Sequence, residues 1–192
     1  MQSIDLITHH RQLAHIFSGY RSVDFTLECI LEGTMCQAFV DNITSPSVYL
    51  IKNGPFFILG GDASHENSDM ILDRLEPISM ILPSPQAWLD KLRSLKSISI
   101  KEQQRFSFNH KLISIEYLDR LLISRNSKIE IVKIDNNIAK EILTTDDFKY
   151  HLQSFSSIDD FLKRGVGYVA RINHKIIGIA SSALVCSKGI EV

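Results

Sequence analysis

Apolar and polar positions change period several times along this chain of 192 residues, and each change marks a predicted element. Ile4, Leu6, Ile7, Leu13, Ala14, Ile16 and Phe17 recur at helical spacing. They predict a helix over Ile4–Phe17, with Ser3 as its N-cap and Gly19 beyond its end. Val23–Leu31 is a second, shorter helical pattern closed by Gly33. The texture then turns strand-like. Gln37–Val40, Val48–Ile51 and Phe56–Leu59 are short β-rich runs, and Asn53-Gly54 between the last two is the strongest hairpin signal in the chain. These elements predict a three-stranded meander behind two helices.

Further on, helical patterns over Ser68–Leu75 and Gln86–Leu95 flank a short apolar strand at Ile78–Leu82, and Ser94–Lys101 reads as a polar linker. Arg105–Phe108 alternates like a strand, and Ser114 caps a predicted helix over Ile115–Ile123. Ile129–Ile134 is a strand, Asp135 caps a helix running to Leu143, and Asp146–Phe155 and Ile158–Arg164 are helical, the last closed by Gly165. The stretch Gly165–Val192 is a second meander. Tyr168–Ile172 turns at Asn173-His174 into a run from Lys175 to Val185, and Ser187-Lys188-Gly189 turns into Ile190–Val192. This order predicts an α+β fold, a mixed and mainly antiparallel sheet flanked by helices, in two parts: a lobe over 1–98 and a second domain over 99–192. The first meander resembles a diverged copy of the second.

Composition narrows the picture. Hydrophobic residues at 44% and charged residues at 22% are ordinary for a globular protein. A net charge of −1 lacks the basic excess of a dedicated nucleic-acid binder. No run approaches the ~20 apolar residues of a membrane span. The N-terminus has neither the basic nor the apolar region of a secretory signal. Cys29, Cys36 and Cys186 are odd in number and lack C-x-x-C spacing, which predicts a reduced, cytoplasmic protein.

A helix ending in FLKRGVGYVA and followed by INHKIIGIASSALVCSKGIEV resembles the middle of a GCN5-related N-acetyltransferase domain, and within that family the zwittermicin-resistance type. The resemblance covers 100–192 and, more loosely, the N-terminal lobe. It implies transfer of an acetyl group from acetyl-CoA to the amine of a small molecule, by direct attack in a ternary complex. It also implies a carboxylate on the central strands as general base, and Glu191 matches that position. Ser181 and Ser182 lie on the preceding strand, where one of the two would face the acceptor pocket, since neighbours on a strand face opposite sides. In the family the third strand of the meander leads into an Arg/Gln-x-x-Gly-x-Gly/Ala loop that holds the cofactor pyrophosphate at a helix N-terminus. The sequence enters this strand at Val192 without that loop. The expectation is therefore a chain truncated before the loop and impaired in acetyl transfer. The competing expectation is a non-catalytic interaction protein that pairs through an exposed sheet edge, with a homodimer as its simplest form.

Other motifs have simpler explanations. Gly165-Val166-Gly167-Tyr168-Val169-Ala170 fits G-x-G-x-x-A, but a helix precedes it and a strand follows, the reverse of a dinucleotide-binding turn. His65-Glu66 begins like a zinc-protease signature that ends in Asp69 instead of His. His9, His10 and His15 lack the i, i+4 spacing of paired ligands on one helical face. No metal site is expected.

Overall fold

Two layers of helix enclose the N-terminal sheet in the computed structural model, which describes residues 1–20, 24–76, 79–82, 85–95, 99–104, 113–124 and 128–191. The sheet has five strands in the order β1 (Gln2–Ile4), β2 (Gln37–Val40), β3 (Val48–Asn53), β4 (Phe56–Gly61) and β5 (Met80–Leu82). All pairs are antiparallel except β4–β5. Nearly every residue of β3 is buried, because both of its faces are covered. Tyr49 and Ile51 pack with Leu13, Phe17 and Ile30 from helices α1 (Leu6–Phe17) and α2 (Asp24–Leu31). Val48 and Leu50 pack on the opposite side with Ile71, Trp88 and Leu92, from the 3₁₀ segment Glu66–Arg74 and helix α3 (Gln86–Ser94). The crossover from β4 to the parallel β5 carries that 3₁₀ segment, as a parallel connection requires.

Helix α4 (Ile115–Ser124) precedes a three-stranded antiparallel sheet of β6 (Glu130–Lys133), β7 (Gly167–Ile172) and β8 (Lys175–Ser181). Helices α5 (Asn136–Thr144) and α6 (Ile158–Arg164) pack on it through Ile138, Ile142 and Phe161. Asp135 and Ser157 cap these helices by accepting from Ile138 N–H and Asp160 N–H. Gly165 ends α6 with extended backbone. The residue must be glycine because a Cβ would lie 2.7 Å from the Phe161 ring. Asn173 and His174 both take positive φ, which suits the two-residue turn between β7 and β8. A two-stranded ribbon follows, β9 (Leu184–Cys186) and β10 (Gly189–Glu191).

The α+β architecture, mainly antiparallel and flanked by helices, is present as expected. Several boundaries differ. Ile4 belongs to β1 rather than α1, and Asp5 caps the helix by accepting from Thr8 N–H at 2.7 Å. Residues 66–74 form 3₁₀ rather than α-helix. Residues 146–154 form successive turns instead of the helix expected over Asp146–Phe155. The run from Lys175 to Val185 is two strands, because the chain leaves the β6–β7–β8 sheet at Ser182-Ala183. The strand expected at Arg105–Phe108 lies outside the described residues, as do parts of the expected linker and the end of the last strand.

The two expected domains share a core. Cys29 of α2 and Met35, which follows it, pack among Ile134, Val169 and Leu184 of the second half. The join is also polar. Lys188 pairs with Glu28, and Ser187 bonds Glu32 through its backbone and its hydroxyl. The β9–β10 ribbon is therefore clamped to the N-terminal lobe through α2.

Candidate active site

Glu191 ends β10, opposite Leu184 of β9. The ribbon faces the N-terminal lobe, and between them lies a cleft of about 30 Å³ walled by Thr26 of α2, Asn53, Phe56 and Ile58 of the β3–β4 hairpin, Leu82 of β5, and Ala183, Leu184 and Glu191. That volume admits a water or two, or the tip of a larger molecule. The lining is apolar except for Thr26, Asn53 and Glu191. Residues bearing a carboxylate, a hydroxyl and an amide thus share the wall of one mostly apolar cleft, a common composition for a ligand site.

The hairpin explains how Asn53 comes to be there. Asn-Gly normally fills the two central positions of a tight turn. Here Asn53 pairs directly with Phe56, so Gly54 and Pro55 form the turn. Gly54 takes φ +54° and Pro55 follows with its fixed φ, the pattern of a type II′ turn. This one-residue shift keeps Asn53 in β3 and buries it, only 5% exposed, against the second half of the protein. Its side-chain oxygen finds no hydrogen-bond partner. The tip of the hairpin abuts Ser154.

The two serines are engaged elsewhere. Ser182 is fully buried. Its hydroxyl accepts from Val166 N–H at 3.0 Å and donates to Val166 O at 3.2 Å, and its own N–H donates to the same carbonyl at 2.8 Å. Ser182 therefore bolts the start of β7 to the point where the chain leaves β8. The Ser181 hydroxyl reaches His151 O at 3.5 Å. Neither serine is among the residues lining the cleft, whereas Glu191 is. Asn53 and Thr26 were not picked out from sequence. The Asn-Gly pair reads as a turn, and a threonine within an apolar helix carries no signal.

Among the described residues the ribbon is covered along its β9 edge. Val185 directs its N–H to the Met35 sulfur at 3.2 Å and its carbonyl to the Cys29 thiol, away from β10. In an antiparallel pair such a residue lies opposite one whose own N–H and C=O also point outward. That residue is Ile190.

The three cysteines gather at the same junction. Burial pushes the Cys29 thiol up to about 12, with Cys186 nearby adding to the effect, and burial also raises Cys36. Among the described residues no group of three or more His, Cys, Asp or Glu is placed to hold a metal ion. No helix among them is long and apolar enough to cross a membrane. His65 caps the 3₁₀ segment, where its Nδ1 accepts from Asn67 N–H at 3.2 Å.

The chain belongs to the GNAT acetyltransferase family, whose model matches residues 14–192. The fold is also that of a solved GCN5-related N-acetyltransferase-like protein from Streptococcus suis. The two superpose with a TM-score of 0.73 at 22% identity, over 96% of this chain and 74% of that one. None of the curated proteins matches the chain. Family and fold together assign it acyl-transfer chemistry of the acetyltransferase kind.

Proposed function

We propose that the protein transfers the acetyl group of acetyl-CoA to the amine of a small molecule, as the resemblance to the zwittermicin-resistance type suggests. Glu191 serves as general base in this reading. The observation that carries it is that Glu191 lines the same cleft between the two halves as Asn53 and Thr26. Bound acetyl-CoA would supply the thioester carbonyl that the amine attacks. The outward-pointing N–H and C=O of Ile190 suit an extended, amide-bearing arm, which would add to β10 as a further strand. Glu191 takes a proton from the incoming ammonium, directly or through a water, and leaves the lone pair free to attack. Release of the free thiol of CoA from acetyl-CoA, measured against a panel of amines, tests the proposal. Amine-dependent thiol release supports it, and a rate indifferent to every amine contradicts it.

A second reading rests on the same edge. An open strand also pairs with another copy of itself, and a homodimer joined along β10 would act as an interaction module. Light scattering over a concentration series separates the two, because edge pairing predicts a mass that doubles and the enzyme reading does not require it.

A further inference from the structure

We infer that Cys29 and Cys186 form a redox switch, in which hydrogen peroxide joins them as a disulfide that staples the β9–β10 ribbon to the N-terminal lobe. The effect on acetyl transfer rests on the reading above, whereas the disulfide itself does not. The Cys29 thiol, on α2, donates to the Val185 carbonyl at 3.7 Å. Cys186 is the next residue, and its thiol lies within hydrogen-bonding reach of Cys29. Both side chains belong to the apolar core that joins the two halves. The contacts around them hold the pair together: Val185 N–H on Met35, Ser187 on Glu32 and Lys188 on Glu28. A disulfide demands that its two β-carbons be brought close, and this clamp supplies the proximity. The staple would also join the walls of the cleft. Thr26 lines it one helical turn before Cys29, and Leu184 lines it two residues before Cys186.

The two thiols differ in access. Cys29 is fully buried, whereas Cys186 is partly exposed, so the oxidant enters at Cys186. The Cys186 thiolate attacks one peroxide oxygen, the O–O bond breaks and hydroxide leaves, which gives a sulfenic acid. The Cys29 sulfur then attacks the Cys186 sulfur and the S–O bond breaks. The Cys29 proton leaves with that oxygen as water. In sum two thiols are oxidised to one disulfide, and one peroxide is reduced to two waters. Burial makes Cys29 a poor nucleophile toward dissolved reagents, but well-oriented intramolecular groups gain effective concentrations of ~10⁵–10⁸ M. The consequence lies in the cleft. Its volume of about 30 Å³ holds a water or two, so a larger molecule enters only when ribbon and lobe part. A bond between α2 and β9 forbids that movement.

The test is to treat the protein with one equivalent of hydrogen peroxide at neutral pH, alkylate the remaining thiols in denaturant, and map the peptides by mass spectrometry. A linked Cys29–Cys186 peptide should appear, lighter by two hydrogens than its parts and cleaved by dithiothreitol. The amides of 184–186 should exchange with deuterium about tenfold more slowly in the oxidised protein. Its melting temperature should rise by several degrees, because the loop so closed spans most of the chain. Cys186→Ser, at a partly exposed site, should abolish all three effects, and Cys36→Ser should leave them intact. A Cys29–Cys36 peptide instead would overturn the inference, since it would lie within one lobe and leave the ribbon free. So would Cys186 driven on to sulfinic acid beside an unmodified Cys29. Once the peroxide is removed, acetyl transfer should fall and return with dithiothreitol; a disulfide that leaves the parental rate unchanged would overturn the switch. A disulfide that forms and slows exchange, in a protein without amine-dependent thiol release in either state, would sink the acetyltransferase reading and leave the staple standing.

Discussion

The backbone N–H of Ser187, in the turn between β9 and β10, donates to both carboxylate oxygens of Glu32 at 2.9 and 3.1 Å. The two residues are 155 positions apart, and Glu32 directly follows α2 in the N-terminal lobe. Together with Lys188–Glu28, this contact fixes the ribbon that carries Glu191. The base of the proposed reaction is thus held by the lobe that also supplies Asn53. Replacing Glu32 by Ala should loosen the ribbon. The β10 amides would then exchange with deuterium faster than those of β7, and the KM for the amine would rise with little change in melting temperature. Hydrogen exchange read by mass spectrometry checks this. Unchanged protection of 184–191 would mean the ribbon is held by its apolar contacts alone.

Ser182→Ala should act on stability rather than on catalysis. The change leaves the part-buried Val166 N–H without its acceptor at 3.0 Å, a loss of ~0.5–1.5 kcal/mol. A lowered melting temperature with an unaltered KM for the amine is expected. A raised KM in a fully stable protein would instead make Ser182 part of the acceptor pocket.

A pH dependence follows from Asp160. Arg164 donates to it at 2.6 and 2.8 Å, with Ser156 adding further bonds, and these hold its carboxyl well below the usual range. A depressed carboxylate contributes stability above its unfolded pKa of ~3.9, and that contribution is lost as pH falls through the folded value. The parent should exceed Asp160→Asn in stability by ~1–2 kcal/mol from pH 5 to 8. The gap should close progressively below ~pH 4. Denaturant titrations at several pH values measure it, and a gap that persists into strong acid would contradict the assignment.

How far the sequence carried the fold can be judged residue by residue. Asp135 was legible as a cap, and Ile158 as the start of the next helix, because local hydrogen bonds decide them. The position of Glu191 on the last strand was legible through the family pattern. The break at Ser182-Ala183 was not. Ser182, the last residue tied to β7, is held by Val166, sixteen positions earlier, and no local window contains that contact. Asn53 was misleading for the same reason. A turn signal says which residues bend the chain, but the burial of β3 on both faces decides which residue of the pair stays in the strand.

Reagents from solvent should reach two of the three thiols slowly in the native protein. Only the thiolate reacts, and burial raises both Cys29 and Cys36 far above neutral pH. Iodoacetamide at pH 7.5 should leave these two cysteines unmodified over a time in which denaturant exposes both. Peptide mapping reads the outcome, and rapid labelling of Cys29 in folded protein would show that the junction opens.

The most direct test is the rate of acetyl transfer by Glu191→Gln, measured beside the thermal shift produced by acetyl-CoA in parent and variant. The account predicts a loss of ~10²-fold or more in kcat at neutral pH. It also predicts that acetyl-CoA at one hundred times its Kd stabilises both proteins equally, by ~2.7 kcal/mol. A variant that keeps the parental rate would show that the proton leaves by another route, and Glu191 would then be an ordinary strand-end carboxylate.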